Sequence, residues 1–418
     1  MTNKILWLLL LLGCLATLAA AESLTLEDCL QRVRERNPQL LEAASGPRLA
    51  AIATEAAQSA YLPRVQLSAG YTEQQAAQQV VIGGNSTPTQ DQGFAHLSLG
   101  VDQLVYDFGR ASGSITAAAA SSRAAAYSFA STEQDLLLQT LTTYYRILST
   151  AALLEAAKDE VSQTEAHLHT AQALYEQGVV TRNDLLQAEV RLASSRQRVL
   201  ALTGSQENTW LNLNDLIARP PEARGELNAE PLPELLPETE PEQTRPDLLA
   251  QYERITGAQA SVQQVKGEYR PELFAHLGAD YVENSYVREQ TIYATTLGLR
   301  MTLYDGGLRK AKLRQAEESL HREQQRLANL QRRARIEAQS ARNDARVAAQ
   351  QINVAQSAIL QAMENLRINQ NRYQEQVGTA TEVLDAQTLL TQAKTDLVRN
   401  QFDYQVAVAR VRYAAGQL

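Results

Sequence analysis

The stretch TLGLRMTLYDGGLRK at residues 296–310 decides the fold, because one kind of secondary structure ends within it and another begins. Its first part alternates between an apolar and a polar face: Leu297, Leu299, Met301 and Leu303 against Thr296, Gly298, Arg300 and Thr302. Such period-two alternation predicts a half-buried strand. From there to Gly378 the sequence contains neither Pro nor Gly after Gly307, which predicts a single helix of roughly 100 Å at about 1.5 Å per residue.

The same arrangement occurs earlier in the chain. YDFG at 106–109 corresponds to YDGG at 304–307, and NPQLL at 37–41 corresponds to RPDLL at 245–249. The second pair of stretches is separated by 208 residues and the first pair by 198 residues. The difference of ten residues falls near the turn-like stretch GGNSTP at 83–88. Self-similarity of this period indicates a tandem duplication. Each half is predicted to run as a helix, two strands, a very long helix and a helix half as long.

The duplication predicts the domain organisation. Residues 22–218 form the first repeat and residues 244–418 the second. Between them, residues 219–243 hold six Pro among Glu residues, a composition typical of a linker.

The N-terminus is predicted to be a targeting segment. Lys4 precedes an apolar run, and the small residues of 19–21 before Glu22 fit a cleavage site, so residues 1–21 are predicted to be a signal peptide. The alternative is a lipoprotein signal, because LLGC at 11–14 resembles a lipobox that would lead to acylation of Cys14. After this segment no run of 18 apolar residues occurs, so no membrane-spanning helix is predicted.

Composition excludes several function classes. The 418 residues carry 39 basic and 47 acidic side chains, a net charge of −8, which argues against a nucleic-acid partner. Five His and two Cys provide no zinc cluster, and His167 and His169 diverge on a helix; the His residues are predicted to face solvent or a polar lumen. No nucleophile elbow, phosphate loop or dinucleotide fingerprint occurs, so we predict no enzyme and no cofactor.

Four alternating strands leave two interpretations: a soluble antiparallel sheet, or strands of a membrane barrel with lipid outside and water inside. The very long helices favour the second, since a rod or tube needs them and a globular domain does not. Leu99, Leu277 and Leu299 would then face lipid. The predicted lumen residues are Asp102, His276, Asp280 and Arg300. Four strands cannot close a membrane barrel, so several chains must combine their strands. Three chains with twelve strands are the natural number, and spacing alone leaves two or four open.

The stretches GVVTRNDLL at 178–186 and VGTATEVLDAQ at 377–387 resemble the two hairpin tips of the outer membrane factor (TolC) family. The strand-to-helix junction at 303–307 and the Tyr-x-Pro stretches at 61–63 and 269–271 are similar to the same family. The resemblance implies a membrane α+β fold, in which a homotrimer forms a twelve-stranded outer-membrane barrel continued by a long periplasmic α-helical coiled-coil barrel. It implies a passive duct of a tripartite efflux or type I secretion system, located in the outer membrane with a large periplasmic part. Its partners would be a periplasmic adaptor and an inner-membrane pump. A periplasmic coiled-coil adaptor or scaffold is the alternative function.

The resemblance also implies site residues. By it, Asp385, Glu382, Tyr373 and Asp184 form a periplasmic gate, in which acidic rings narrow the entrance and Tyr373 and Asp184 hydrogen-bond across the two hairpins. The adaptor would contact the hairpin tips at Gly178, Val179, Val180, Val377, Gly378 and Thr379. The linker would pack around the equator of the helical barrel, with a flexible spacer as the alternative.

This chain departs from the family pattern near the tips. Tyr373 and Gly378 are two residues farther apart than usual, Gln187 replaces an acid, and an Arg sometimes found in the second tip does not occur. From the residues alone, Glu382 and Asp385 would be ordinary solvated carboxylates.

Overall fold

The computed structural model describes residues 23–229, 231–232 and 245–418. The predicted signal peptide at 1–21 with Cys14, residue 22, residues 230 and 233–243 of the predicted linker, and residue 244 lie outside the described residues.

Eight α-helices and eight strands make up the described part of the chain. The helices are α1 Leu26–Arg36, α2 Pro38–Ala43, α3 Ser45–Gln58, α4 Arg110–Glu176, α5 Arg182–Leu216, α6 Pro246–Gly267, α7 Leu308–Gln374 and α8 Ala380–Ala414. The strands are β1 Ser23–Leu24, β2 Arg64–Glu73, β3 Gln79–Ile82, β4 Asn85–Pro88, β5 Gly93–Tyr106, β6 Glu226–Leu227, β7 Glu272–Val282 and β8 Thr291–Arg300. Among these residues, no helix is both long and apolar enough to cross a membrane.

The two long helices, α4 and α7, have 67 residues each, and the helices that follow them, α5 and α8, have 35 residues each. Equal lengths in the two halves agree with the duplication. The chain divides into two compact units. The strand unit comprises residues 44–129 and 246–332, and the helix unit comprises the residues up to 43 together with 130–245 and 333–418.

The strand unit contains a four-stranded antiparallel sheet with the order β2-β5-β7-β8. The fourth strand differs from its prediction, because β8 ends at Arg300 and Met301 and Leu303 lie beyond it. Arg300 pairs with Glu272, the first residue of β7. The partner strand therefore starts at this point and gives the following residues no backbone groups to pair with.

A short hairpin of β3 and β4 occupies the stretch for which the sequence indicated only a turn. Ile82 pairs with Asn85 across Gly83 and Gly84, whose φ angles are +60° and +89°. Two consecutive positive φ angles are what a tight two-residue hairpin turn requires, and glycine adopts them without strain.

In the helix unit, α7 packs against α8 through small side chains. Three buried clusters follow one another along this contact: Ala341, Ala345, Ala407 and Val411; Ala348, Ile352, Tyr404 and Val408; and Ala362, Leu390 and Ala393. Alanine at most of these positions lets the two helix backbones approach closely while still removing apolar surface from water.

The start of the predicted linker is bonded to the helix unit. Strand β6 pairs in parallel with β1, and the buried Tyr144 hydroxyl lies 3.1 Å from the carbonyl of Leu24 and 2.8 Å from that of Asn228. The Asn214 amide donates to the carbonyls of Pro221 and Ala223. These contacts fix the backbone of residues 221–228 on the helices.

Candidate functional site

The turns of two helical hairpins carry most of the predicted site residues. In the first turn, between α4 and α5, Gly178 has a φ of +71° and the Val179 amide donates to the carbonyl of Leu174 at 2.9 Å. In the second, between α7 and α8, the positive φ of +60° belongs to Gln376, which lies 198 residues after Gly178. The residue with a positive φ angle therefore lies at equivalent positions of the two repeats, but it is a glycine only in the first. A non-glycine residue there costs roughly 1–2 kcal/mol.

Two of the predicted gate carboxylates cap helices. Asp184 accepts from the backbone amide and hydroxyl of Thr181 at 2.9 and 2.8 Å, and Glu382 accepts from the amide of Thr379 at 3.1 Å. Each Thr hydroxyl accepts in return from the amide of its acidic partner. These reciprocal capping boxes satisfy amide groups at the first turns of α5 and α8 and place negative charge at their positive ends.

Glu382 also has a basic partner. Its Oε2 lies 3.5 Å from Nη1 of Arg372, on the last turn of α7. Another nitrogen of the same guanidinium donates to the carbonyl of Val377 at 3.4 Å. Arg372 thus places an arginine at the second turn. The sequence pattern did not indicate this position. Asp385, one turn after Glu382, is exposed.

Tyr373 is half-buried, and its hydroxyl has no hydrogen-bond partner among the residues that the structure describes. The hydrogen bond to Asp184 that the resemblance implied is therefore not formed. Burial, and secondly the charge of Asp184, raise the pKa of Tyr373. Its ring centroid lies 6.1 Å from that of His167 on α4.

His167 corrects a sequence-based prediction, because it is 8% exposed rather than solvent-facing. Its Nε2 is buried without a hydrogen-bond partner in the described part of the chain. Burial lowers the pKa of His167, since the charged imidazolium would lose its hydration. Apolar residues three or four positions away on the helix could have indicated this burial. The spacing of His167 and His169, two positions apart, instead led to the prediction that both face solvent or a polar lumen.

This burial predicts acid sensitivity near the first turn. Because the pKa of His167 is lowered in the folded state, the unfolded chain binds more protons, so the stability is fully present above about pH 6.5 and falls as the pH drops below it. Amide hydrogen exchange around residues 160–185, corrected for intrinsic rates, should speed up at about pH 5.5 relative to about pH 7.5. His167→Leu should remove most of this difference and His169→Leu, at an exposed position, should not. Equal acid sensitivity in the His167→Leu protein would contradict the assignment.

The predicted lumen residues share one face of the sheet. His276 Nδ1 lies 2.8 Å from Asp102 Oδ1, the Ser98 hydroxyl donates to Asp280, and the Arg300 guanidinium lies 4.7 Å from the centre of the Phe274 ring. Glycine makes room for the imidazole: a Cβ at Gly278 would lie 3.1 Å from His276. This face carries polar and charged side chains from β5, β7 and β8 beside the ring of Phe274.

The opposite face of the sheet is apolar and exposed in the chain. Leu67, Leu99, Ala279 and Tyr293 lie side by side in register across all four strands. Leu99, Leu277 and Leu299, predicted to face lipid, are 44%, 51% and 66% exposed. A row of exposed leucines on one face of a sheet requires an apolar surrounding.

A family model described as "Outer membrane efflux protein" matches residues 29–219 and 240–417, which is most of the chain. The chain belongs to the outer membrane efflux protein family. The predicted family is thereby confirmed. Among relatives, the outer membrane protein TolC of Vibrio cholerae is 24% identical over 429 residues, covering 97% of this chain and 93% of the relative. The alkaline protease secretion protein AprF of Pseudomonas aeruginosa is 23% identical over 312 residues, covering 69% and 63%.

Among solved structures, the outer membrane protein VceC from Vibrio cholerae superposes with a TM-score of 0.83 at 19% identity, over 94% of this chain and 96% of that one. This likeness confirms the predicted fold class of outer-membrane channels that combine a β domain with long helices. This chain is an outer-membrane duct for efflux or secretion, with a periplasmic part. Members of the family are channel and duct proteins.

Proposed function

We propose that three copies of the chain form one passive duct, each contributing the sheet β2-β5-β7-β8 to a closed barrel of twelve strands. The observation that carries this proposal is the sheet itself. Among the described residues, strands β2 and β8 each pair on one side only, and the exposed face is apolar. In lipid, unpaired strand edges cost several kcal/mol per group, so the edges must meet those of further copies. The polar face with Asp102, His276, Asp280 and Arg300 then lines the lumen.

The entrance of the duct lies at the two hairpin turns in this proposal. Asp385 and Glu382 place carboxylates there, with Asp184 at the neighbouring turn and the half-buried Tyr373 behind it. Asp385 is exposed, whereas the charge of Glu382 is partly offset by Arg372. Threefold repetition would surround the entrance with acidic side chains, which attract cations and repel one another.

The turns are also the proposed contact for a periplasmic adaptor, through which an inner-membrane pump would feed the duct. Val179 and Val377 are exposed at the two turns, Val377 by 64%. They lie beside Gly178, Val180, Gly378 and Thr379, so each turn presents a small apolar surface on a backbone fixed by capping boxes. Paired apolar tips of this kind fit an adaptor with complementary apolar grooves.

The domain boundaries follow the same proposal. Residues 1–21 are removed on export, residues 22–218 and 244–418 are the two repeats, and residues 219–243 join them. The intact mass of the purified chain distinguishes cleavage after Ala21 from acylation of Cys14.

The assembly predicts a detergent-dependent trimer. Light scattering of the purified protein in detergent should give the mass of three chains, and the protein should sediment with outer membranes. A periplasmic adaptor or scaffold, the rival function, would dissolve without detergent. A stable monomer that still conducts ions across bilayers would contradict the barrel of twelve strands.

A further inference from the structure

Glu160 of α4 is a buried acidic residue that does not belong to the proposed entrance. Its side chain is 7% exposed, and two guanidinium groups from α5 hold its two oxygens. Nη2 of Arg191 lies 3.0 Å from Oε1, and Nη1 of Arg198 lies 3.3 Å from Oε2. A buried carboxylate persists only when it is paired in this way, because its lost hydration must be replaced. The pairing fixes α5 against α4 and holds the Arg191 side chain in one position.

The same guanidinium reaches the other hairpin. Nη2 of Arg191 donates to the hydroxyl of Thr388 on α8 at 2.8 Å. That hydroxyl in turn donates to the carbonyl of Leu384 at 2.8 Å, so its single proton is used and its free lone pair is available to Arg191. Thr388 lies one turn beyond Asp385, and Arg191 lies two turns beyond Asp184. The bond therefore joins the two hairpins of one chain close to their turns.

We infer that Arg191 is a positioning residue that fastens α8 to the first hairpin, and that this bond must break before the entrance widens. The inference rests on the proposed function, because it needs an entrance at the turns. Glu160 supplies the charge that holds Arg191 in place, and Thr388 is the point of release. A charge-assisted bond to a neutral hydroxyl suits a release point, since it is directional but weaker than an ion pair.

Planar-bilayer recordings of the full-length protein test the inference. Thr388→Val keeps the size of the side chain and removes the acceptor, while the pair of Glu160 and Arg191 stays intact. The open fraction should rise about three- to tenfold, the factor that about 0.7–1.4 kcal/mol produces. Thr388→Ser restores the hydroxyl and should behave like the parent. Thr203→Val on α5, where an exposed hydroxyl likewise donates to the carbonyl four residues back, is the matched control and should also behave like the parent.

The outcomes separate the inference from the proposed function. Charge selectivity should not change in Thr388→Val, because no charge is removed. An open fraction equal to the parent's in Thr388→Val, or an equal rise in Thr203→Val, would overturn the inference while leaving the duct in place. Failure of the parent protein to form a conducting pore would overturn the proposed function, and the inference with it.

Discussion

Replacing Leu299 by Arg should sharply reduce the amount of protein assembled in the outer membrane. Leu299 is 66% exposed on the apolar face of the sheet, where it pairs with Leu273 of β7. An Arg facing lipid in a barrel costs roughly 2–4 kcal/mol at the middle of the bilayer and less toward its surfaces, and Leu299 lies one residue before the end of β8. Three copies of the chain would bear this cost three times in one assembly. The measurement is the amount of folded trimer in washed outer membranes, compared with the parent at equal expression.

A matched variant on the polar face shows whether orientation or charge causes the loss. Thr296 lies on the same strand, opposite His276, and faces the side of the sheet that carries Asp102. Thr296→Arg should assemble close to the parental level, because its charge would meet water and nearby carboxylates. Normal assembly of Leu299→Arg together with loss of Thr296→Arg would reverse the assignment of the two faces.

The second large effect is expected at the entrance. Removing the charges of Asp385 and Glu382 as Asp385→Asn and Glu382→Gln should lower the preference of the pore for cations by roughly tenfold, because low-dielectric walls focus the field of charges at a constriction. Block by multivalent cations from the periplasmic side should weaken in parallel. Glutamine at 382 can still cap the helix start, so assembly should be retained. Reversal potentials in salt gradients measure the preference.

The structure divides this effect unequally between the two acids. Glu382 is bonded to the Thr379 amide and lies near Arg372, whereas Asp385 is exposed. Asp385→Asn alone should therefore produce most of the change. Asp396→Asn, three turns farther along α8, is the control for loss of a carboxylate elsewhere on the helix. Unchanged selectivity in the double variant would mean that the carboxylates are merely solvated and that the constriction lies elsewhere.

Local patterns determined the order of elements, because each depends on residues close in sequence. Alternation over about ten residues marks β2, β5 and β7, and the lack of Pro and Gly marks α4 and α7. The Thr181 and Asp184 spacing likewise determines a helix start, since the partners of a capping box are only three positions apart in sequence. The two faces of the sheet follow from the same alternation.

Pairing between distant segments decided the rest. The end of β8 at Arg300 depends on where β7 begins, and no property of residues 301–303 reports that. Arg372 meets Glu382 because the turn that contains the left-handed Gln376 brings the end of α7 beside the start of α8. The burial of His167 depends on the side chain that α7 places over it.

By itself the sequence determined a duplicated chain of strands and long helices with polar and apolar faces, because periodicity and breaks act within one element. Only the tertiary structure decided that Arg191 joins Glu160 and Thr388, which lie 31 and 197 residues away. A helix position has neighbours one turn away along its own axis, but its neighbours on another helix depend on the rotation and offset of that helix. Those two quantities come from the packing of all the side chains along the contact, so no short stretch of sequence contains them.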